Sequence, residues 1–267
     1  MFYNALHGRQ LAPEQIERLC DREWIKANAR HIYKDKVNIL AEVDVEIEGV
    51  EKPVVIKWFS WRNRISLWLS PFMRSRAKKS WDASQSLKRC GVKVPPPITA
   101  YTRRRFGIIR RNFLLTEIVT DYTLARRWLR NPATTVDEKT AIVTAIAELI
   151  RKMHDAHMVH HDLTPGNFLV KNSDPTDITI TDLNRLEHKL FLSRKLKAYD
   201  IAKLNLCNCR LVKEHSGCLW ILFLECYDHD EFDKNKIALR AALKRREINR
   251  RIKAMRRQLD PKAPEKE

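Results

Sequence analysis

Glycine is scarce. Six occur in 267 residues, and only Gly8 and Gly49 precede the apolar stretch Val54 to Phe59. A turn that grips phosphates through its own backbone needs several glycines in close succession, so that device is excluded. Long apolar runs are missing too. The longest, Leu219 to Leu224, falls far short of the roughly 20 residues that cross a bilayer, and Met1 to Gln15 has no basic region leading into an apolar one. A cytosolic chain without a membrane span is expected. Acidic residues are few, 33 against 51 lysines and arginines, for a formal net charge of +18. Such an excess favours an anionic partner: nucleic acid, an anionic membrane or a polyanionic substrate. No RNP box, C2H2 finger or basic zipper is present, so charge alone does not make the chain a nucleic-acid binder. Six cysteines without a secretion signal read as thiols. Cys207, Cys209, Cys218 and Cys226 lie close enough in sequence to raise a zinc site, although C-x-C is tighter than the usual knuckle; buried helix thiols are the alternative.

What is present begins with a hydrophobic content of 44%, enough at this length for a two-part enzyme with a real core. Residues Pro13 to Asn28 carry Ile16, Leu19, Trp24 and Ile25 on one side, the pattern of a helix. His31 to Tyr33, Val37 to Glu48 and Val54 to Phe59 predict three antiparallel strands with a turn at Gly49. Lys57 falls inside the last, V-V-I-K-W-F, where an ammonium needs an anionic partner. From Ser60 to Lys79, Trp61, Trp68 and Phe72 interleave with Arg62, Arg64, Arg74, Arg76, Lys78 and Lys79. That composition suits a membrane interface, or tryptophans packed on the neighbouring sheet. Ser75 to Val92 predicts a helix, Tyr101 to Arg111 a basic hairpin, and Asn112 to Val119 a buried strand leaving into polar Thr120 and Asp121. Thr135-x-x-Glu138 is a capping box opening a long helix, with Ile142, Val143, Ile146, Leu149, Ile150 and Met153 at helical spacing. Lys234 to Arg257 predicts a basic helix with Ile237, Leu239, Leu243, Ile248 and Ile252.

The chemistry is concentrated between Val159 and Arg185. V-H-H-D-L-T-P-G-N-F-L-V places Asp162 and Asn167 on one short loop leading into the strand Phe168 to Val170, and I-T-I-T-D-L-N-R places Asp182 after a second strand, Ile178 to Thr181. A carboxylate to accept the proton of an attacking hydroxyl, with an amide oxygen and a second carboxylate for the metal ions on nucleotide phosphates, is the layout of phosphoryl transfer. Magnesium, a hard cation, takes such oxygens. The pattern resembles the H-R-D-L-x-x-x-N loop and D-F-G element of the protein-kinase-like superfamily. His161 replaces the arginine that answers a phosphorylated activation loop, which points to an enzyme not switched that way. Thr164 stands where a lysine follows the base by two. Leu183 and Asn184 replace Phe and Gly, and Asn184 is expected to take the positive φ that glycine would supply. V-V-I-K resembles the V-A-I-K strand whose lysine holds the α and β phosphates; without a glycine-rich loop, lysine charge is expected to share that work. No A-P-E element lies between Asp182 and Asp200. A protein kinase needs that segment to seat a peptide, so a smaller or non-peptide acceptor is expected.

The resemblance narrows with the S-x-A-x-x-x-W helix, the L-x-x-x-G-V-x-V-P exit, and H-x-D-L-x-P-G-N followed by D-L-N-R. From about Lys36 to Tyr227 the chain looks like the bacterial lipopolysaccharide core kinase family, whose members phosphorylate Kdo or heptose of the inner core. That resemblance implies an α+β, two-lobed protein-kinase-like fold: a small antiparallel-sheet N-lobe over 1–119 and a mainly helical C-lobe over 120–267. It implies ATP with Mg2+ as donor, Asp162 as proton acceptor, and Asn167 and Asp182 as magnesium ligands. Lys57 would hold the phosphates with Asp82 as its helix partner, the backbone of Glu117 to Val119 would meet adenine, and His160 and Asp200 would brace the loop. Lipopolysaccharide core or a lipid A precursor would be the acceptor. With the basic charge, an anionic membrane surface, on the inner face of the inner membrane, is the expected second partner. A kinase for another small molecule such as an aminoglycoside, an atypical protein kinase and a catalytically dead binding module are the alternatives. The last is disfavoured because Lys57, Asp162, Asn167 and Asp182 are all present.

Overall fold

Six antiparallel strands build the first of two units, Met1–Tyr122 together with Thr179–Leu186. The computed structural model describes residues 2–61, 67–206, 218–228 and 231–259. The strands are β1 (Phe2–Gly8), β2 (His31–Asp35), β3 (Ile39–Ile47), β4 (Val50–Trp58), β5 (Pro97–Arg105) and β6 (Ile108–Glu117), in the order β1-β5-β6-β4-β3-β2. Alternation makes the core: Ile39, Ala41, Val43, Val45 and Ile47 of β3 share one buried face with Val54 and Ile56 of β4 and Phe113 and Leu115 of β6. The β3–β4 and β5–β6 hairpins close through pairs with positive φ, Glu48 and Gly49 (56° and 78°) and Phe106 and Gly107 (50° and 76°), the left-handed pairing that suits strand twist.

Two helices cover this face, α1 (Pro13–Cys20) and α2 (Arg22–Asn28), and bring in Leu19, Cys20 and Ile25. The sequence predicts one helix here. Instead the chain breaks at Asp21, which is extended (φ −93°, ψ 119°) and accepts the N–H of Glu23 at 2.9 Å to cap the second helix; an aspartate that bonds the backbone two residues on competes with helix continuation. Strand β1 has no counterpart in the sequence expectations, because its partner β5 is remote in the chain. Gly8 ends it at φ 95°, where an added Cβ would lie 2.2 Å from the Ile98 carbonyl oxygen and 2.5 Å from the Trp81 ring. The other face of the sheet carries α3 (Arg76–Arg89), whose buried side is small, Ala77, Ser80, Ala83 and Ser84. Ala77 packs with Phe59, Ala100 and Leu114.

The second unit comprises Thr123–Ile178 and Glu187–Glu267. Its strands are β7 (Tyr122–Leu124), β8 (Met158–Val159), β9 (Phe168–Lys171), β10 (Asp174–Ile180) and β11 (Glu187–His188); β9 lies between β7 and β10, and β8 pairs with β11. Its helices are α4 (Ala125–Arg130), α5 (Val136–Asp155), α6 (Arg194–Ile201), α7 (Leu219–Tyr227) and α8 (Glu231–Leu259). The capping box of α5 forms: Glu138 N–H donates to Thr135 Oγ1 at 3.2 Å and Thr135 N–H to Glu138 Oε2 at 2.8 Å. All six apolar residues of the α5 stripe are buried. Along α7, Trp220, Phe223 and Tyr227 stack with successive ring centroids 5.6 Å apart. Helix α8 buries Ile237, Ala238 and Ala241 and lays Arg245 over Trp220 at 4.5 Å and Lys244 over Tyr199 at 5.0 Å, while Leu239, Leu243 and Ile252 of its expected stripe face solvent. Among the described residues no helix is long and apolar enough to cross a membrane.

The division falls between Tyr122 and Thr123, three residues beyond the expected one, and Thr179–Leu186 returns to the first unit. Ile180 N–H donates to Lys93 O at 3.0 Å there, and the 3-10 turn Leu183–Arg185 packs on α3.

Candidate active site

In the first unit the ladder sets Lys57 of β4 between Leu40 and Leu114, on the side of the sheet that bears α3. Its Nζ donates to Asp182 Oδ1 at 2.6 Å and lies 5.7 Å from the Phe59 ring. Asp182 stands in the left-handed region (φ 61°, ψ 51°) just ahead of its 3-10 turn. Asn184 therefore does not take the positive φ expected of it. It stays inside the turn and donates its Nδ2 to Asp182 Oδ1 at 2.6 Å, so the replaced glycine's conformational role passes to the aspartate itself.

Burial pulls Lys57 below the ordinary lysine value, the Asp182 carboxylate pulls it back up, and the charges of Lys34 and Arg76 push it down again. Lys34 and Arg76 thus gather with Lys57. Arg76 is fixed by the Ser60 carbonyl at 2.9 Å and lies over the Trp61 ring at 5.6 Å. The early glycines serve as a strand end and a hairpin turn.

Asp82 is not the partner of Lys57. It lies on the partly exposed side of α3, where Lys78, one turn away, donates to it at 2.6 Å and Arg74 lies 3.7 Å off. The buried side of the helix offers only alanine, serine and leucine, so Asp182 takes the place of a helix acid. At the end of β6, Glu117 N–H is given to Pro96 O at 2.9 Å. Of the backbone groups expected to meet adenine, the Glu117 N–H is therefore already engaged.

In the second unit the loop after β8 hangs from one buried aspartate. Asp200 of α6 accepts the N–H of His160 at 2.8 Å and of His161 at 2.7 Å, one on each oxygen. His154 Nε2 lies 3.3 Å from Asp200 Oδ2, and its Nδ1 lies 2.6 Å from the Tyr227 hydroxyl. Burial pushes the Tyr227 phenol up, and the His154 ring bridges that hydroxyl to Asp200. His160 is fully buried under the loop. His161 has φ 63°, and its Nε2 meets Glu187 Oε2 of β11 at 3.3 Å. Asn167 closes the 3-10 turn Pro165–Asn167 and donates Nδ2 to the Asp162 carbonyl at 2.7 Å, which sets its amide oxygen on the opposite side.

Lys203, just past α6, donates to the His161 carbonyl and lies 3.8 Å from Asp162 Oδ1. The lysine two residues after the base is absent from the sequence, whereas Lys203 follows the end of α6. Its signal is spacing: it follows Asp200 by three, on the same side of a helical turn.

Burial by itself would raise the Asp200 carboxyl. The hydrogen bond and charge of His154 and the N–H of His160 outweigh that and hold it below the ordinary aspartate value. A carboxylate held low in the folded state contributes stability above its unfolded value, about 4, that is lost as pH falls through the lower folded value. Asp200→Asn is therefore expected to cost about 2–3 kcal/mol at neutral pH. It should also flatten the fall in stability below about pH 4 in denaturant titrations; an unchanged acid limb would contradict this.

Cys20 and Cys218 are buried thiols, and Cys90 and Cys226 are partly exposed ones. Cys207 and Cys209 lie outside the described residues. Among the described residues no three His, Cys, Asp or Glu side chains gather to hold a metal.

A strand lysine joined to the aspartate of a turn, and an aspartate–asparagine loop suspended from a helix aspartate, belong with the protein-kinase-like class of folds. Residues 61–220 match the lipopolysaccharide kinase (Kdo/WaaP) family, and the chain belongs to that family. A solved structure, WaaP in complex with acyl carrier protein, is similar in fold, with TM-score 0.58 over 90% of this chain and 98% of that one at 18% identity. A probable bifunctional tRNA threonylcarbamoyladenosine biosynthesis protein of Methanosphaera stadtmanae is 27% identical over 217 residues, 79% of this chain. The chain spans 37% of that relative's length.

The family implies a nucleotide with magnesium, a hard cation that takes oxygen ligands; Asp182 in the first unit offers carboxylate oxygens and Asn167 in the second an amide oxygen.

Proposed function

We propose that the protein transfers the γ-phosphoryl group of ATP to a sugar hydroxyl, on Kdo or heptose, of the lipopolysaccharide inner core. The observation that carries this reading is the loop fixed by Asp200, with the Asp162 carboxylate beside Lys203 and the Asn167 amide anchored on the Asp162 carbonyl. Asp162 accepts the acceptor's hydroxyl proton as the new oxygen–phosphorus bond forms and the bond to ADP breaks. Lys57, with Lys34 and Arg76, holds the phosphates. Asp182 and Asn167 hold magnesium, which when bound offsets the charge of the phosphate oxygens. Asp182, which pairs with Lys57 in the free protein, would offer its carboxylate to the metal, and the Lys57 ammonium would then be available to phosphate. The short segment between Asp182 and Asp200 suits a sugar acceptor better than a peptide. An acceptor built on lipid A places the working enzyme at the cytoplasmic face of the inner membrane.

Mass analysis of core oligosaccharide from a deletion strain tests the reading: one phosphate is expected to be missing and to return with the intact chain, and an unaltered core would overturn it. Labelled phosphate on a protein would favour an atypical protein kinase, and on an aminoglycoside a different small-molecule kinase. A second expectation concerns Lys203, a positioning residue for Asp162 and a counter-charge for the transferring phosphoryl group. Lys203→Met is expected to lower kcat about tenfold or more with little change in KM for ATP, and Lys203→Arg to recover part of it. Steady-state kinetics decide, since a loss confined to KM would assign Lys203 to nucleotide binding.

A further inference from the structure

The first unit displays an apolar tip that its core does not use. The 3-10 turn Ser70–Phe72 is clamped on the β5–β6 hairpin. Arg104 donates to the carbonyls of Ser70 at 2.9 Å, Gly107 at 2.8 Å and Met73 at 2.6 Å. The buried Ser70 hydroxyl accepts the N–H of Ile109 at 3.0 Å. Gly107, at φ 76°, lies against Pro71, whose Cβ would be 3.3 Å from an added methyl. With the backbone polar groups so engaged, the apolar side chains project outward: Phe72 is 92% exposed, Trp68 and Phe106 71%, and Leu69 54%.

Cations accompany them. Arg105 lies 5.5 Å from the Phe106 ring, and Arg103, Arg105, Arg110 and Arg111 line a cleft of about 390 Å³ on the same hairpin. Asp82, held by Lys78, is the only acidic residue between Glu51 and Glu117.

We propose that this tip docks the protein on an anionic lipid bilayer, with Trp68, Phe72 and Phe106 entering the headgroup layer and Arg105, Arg110 and Arg111 meeting lipid phosphates. Exposed apolar side chains and arginines on one hairpin supply the two chemistries of a membrane surface, hydrocarbon and negative charge. A single-stranded nucleic acid would want a groove with stacking platforms, and a turn with a side chain 92% exposed is the opposite shape. The inference deepens the proposed membrane-linked acceptor and rests on it only for the place of action. Vesicle binding needs neither nucleotide nor acceptor, so either proposal can fail alone.

The test is co-sedimentation of the whole protein with vesicles of phosphatidylglycerol and phosphatidylcholine in about equal parts, against phosphatidylcholine alone, at low and at molar salt. Binding is expected to the mixed vesicles only, and to fade with salt. Phe72→Ser is expected to weaken it severalfold. Trp68→Ser, Phe72→Ser and Phe106→Ser together should weaken it by about tenfold or more with the melting temperature unchanged. Arg105→Gln, Arg110→Gln and Arg111→Gln together should flatten the salt dependence. Wild-type binding to neither vesicle or equally to both would overturn the proposal. So would undiminished binding of the serine variants, a loss confined to Arg246→Gln and Arg250→Gln of α8, or capture of an acidic protein or single-stranded nucleic acid at the tip without vesicle binding.

Discussion

Asp162→Ala is expected to lower kcat for phosphoryl transfer by about a hundredfold to ten-thousandfold, the range a positioned proton acceptor supplies, while leaving the affinity for ATP within about twofold. In the proposed mechanism the base acts on the acceptor hydroxyl. Its loop is held from elsewhere, by Asp200 on the N–H groups of His160 and His161 and by Asn167 on the Asp162 carbonyl, so removing the carboxylate leaves the scaffold in place. Lys203 loses its neighbour at 3.8 Å but keeps its bond to the His161 carbonyl. Nucleotide affinity by thermal shift and turnover by ADP release separate the two quantities. Wild-type turnover in Asp162→Ala would remove the loop from the mechanism.

Asp182→Ala is expected to abolish magnesium-dependent nucleotide binding, and its effect reaches the free protein as well. It strands the Lys57 ammonium in an apolar strand. Breaking a fully buried pair costs about 3–5 kcal/mol and an exposed one less than about 1. With side chains 18% and 34% exposed, this pair falls between, about 1–3 kcal/mol. Lys57→Met combined with Asp182→Ala should recover much of that stability and none of the binding. Denaturant unfolding and thermal shift with magnesium and ATP measure both halves of this double-mutant cycle. A stabilising response to magnesium and ATP in Asp182→Ala, equal to that of the wild type, would show that the metal is held elsewhere.

Where sequence and structure agree, the determinants are local. The apolar stripe and capping box of α5, the turn at Gly49 and the order of the loop and turn elements depend on residues a few positions apart, and such spacings are visible in a sequence. Where they part, the determinant is a distant partner or a competition between two local bonds. Strand β1 exists because β5 offers an edge. Asp21 divides a helix because its carboxylate finds the Glu23 N–H before the helix can continue. Asp82 has the charge to meet Lys57, but its place on α3 gives it to Lys78. Asp182 reaches Lys57 across more than a hundred residues of chain, through a left-handed backbone that no pattern of residue types announces. Lys203 lies outside the motif altogether. The lack of a glycine loop predicts compensation by charge, and the neighbours whose charge acts on Lys57, Lys34 and Arg76, lie on other elements and carry no motif of their own.

The most direct measurement is transfer itself. Purified protein with ATP labelled in its γ-phosphate, magnesium and lipopolysaccharide inner core lacking phosphate on Kdo and heptose is predicted to give labelled core, with the phosphate on a sugar hydroxyl by fragmentation mass spectrometry. No labelled core should form without magnesium or with Asp162→Ala. Label that stays in ATP, or that appears only on protein while wild type and Asp162→Ala behave alike, would contradict the account.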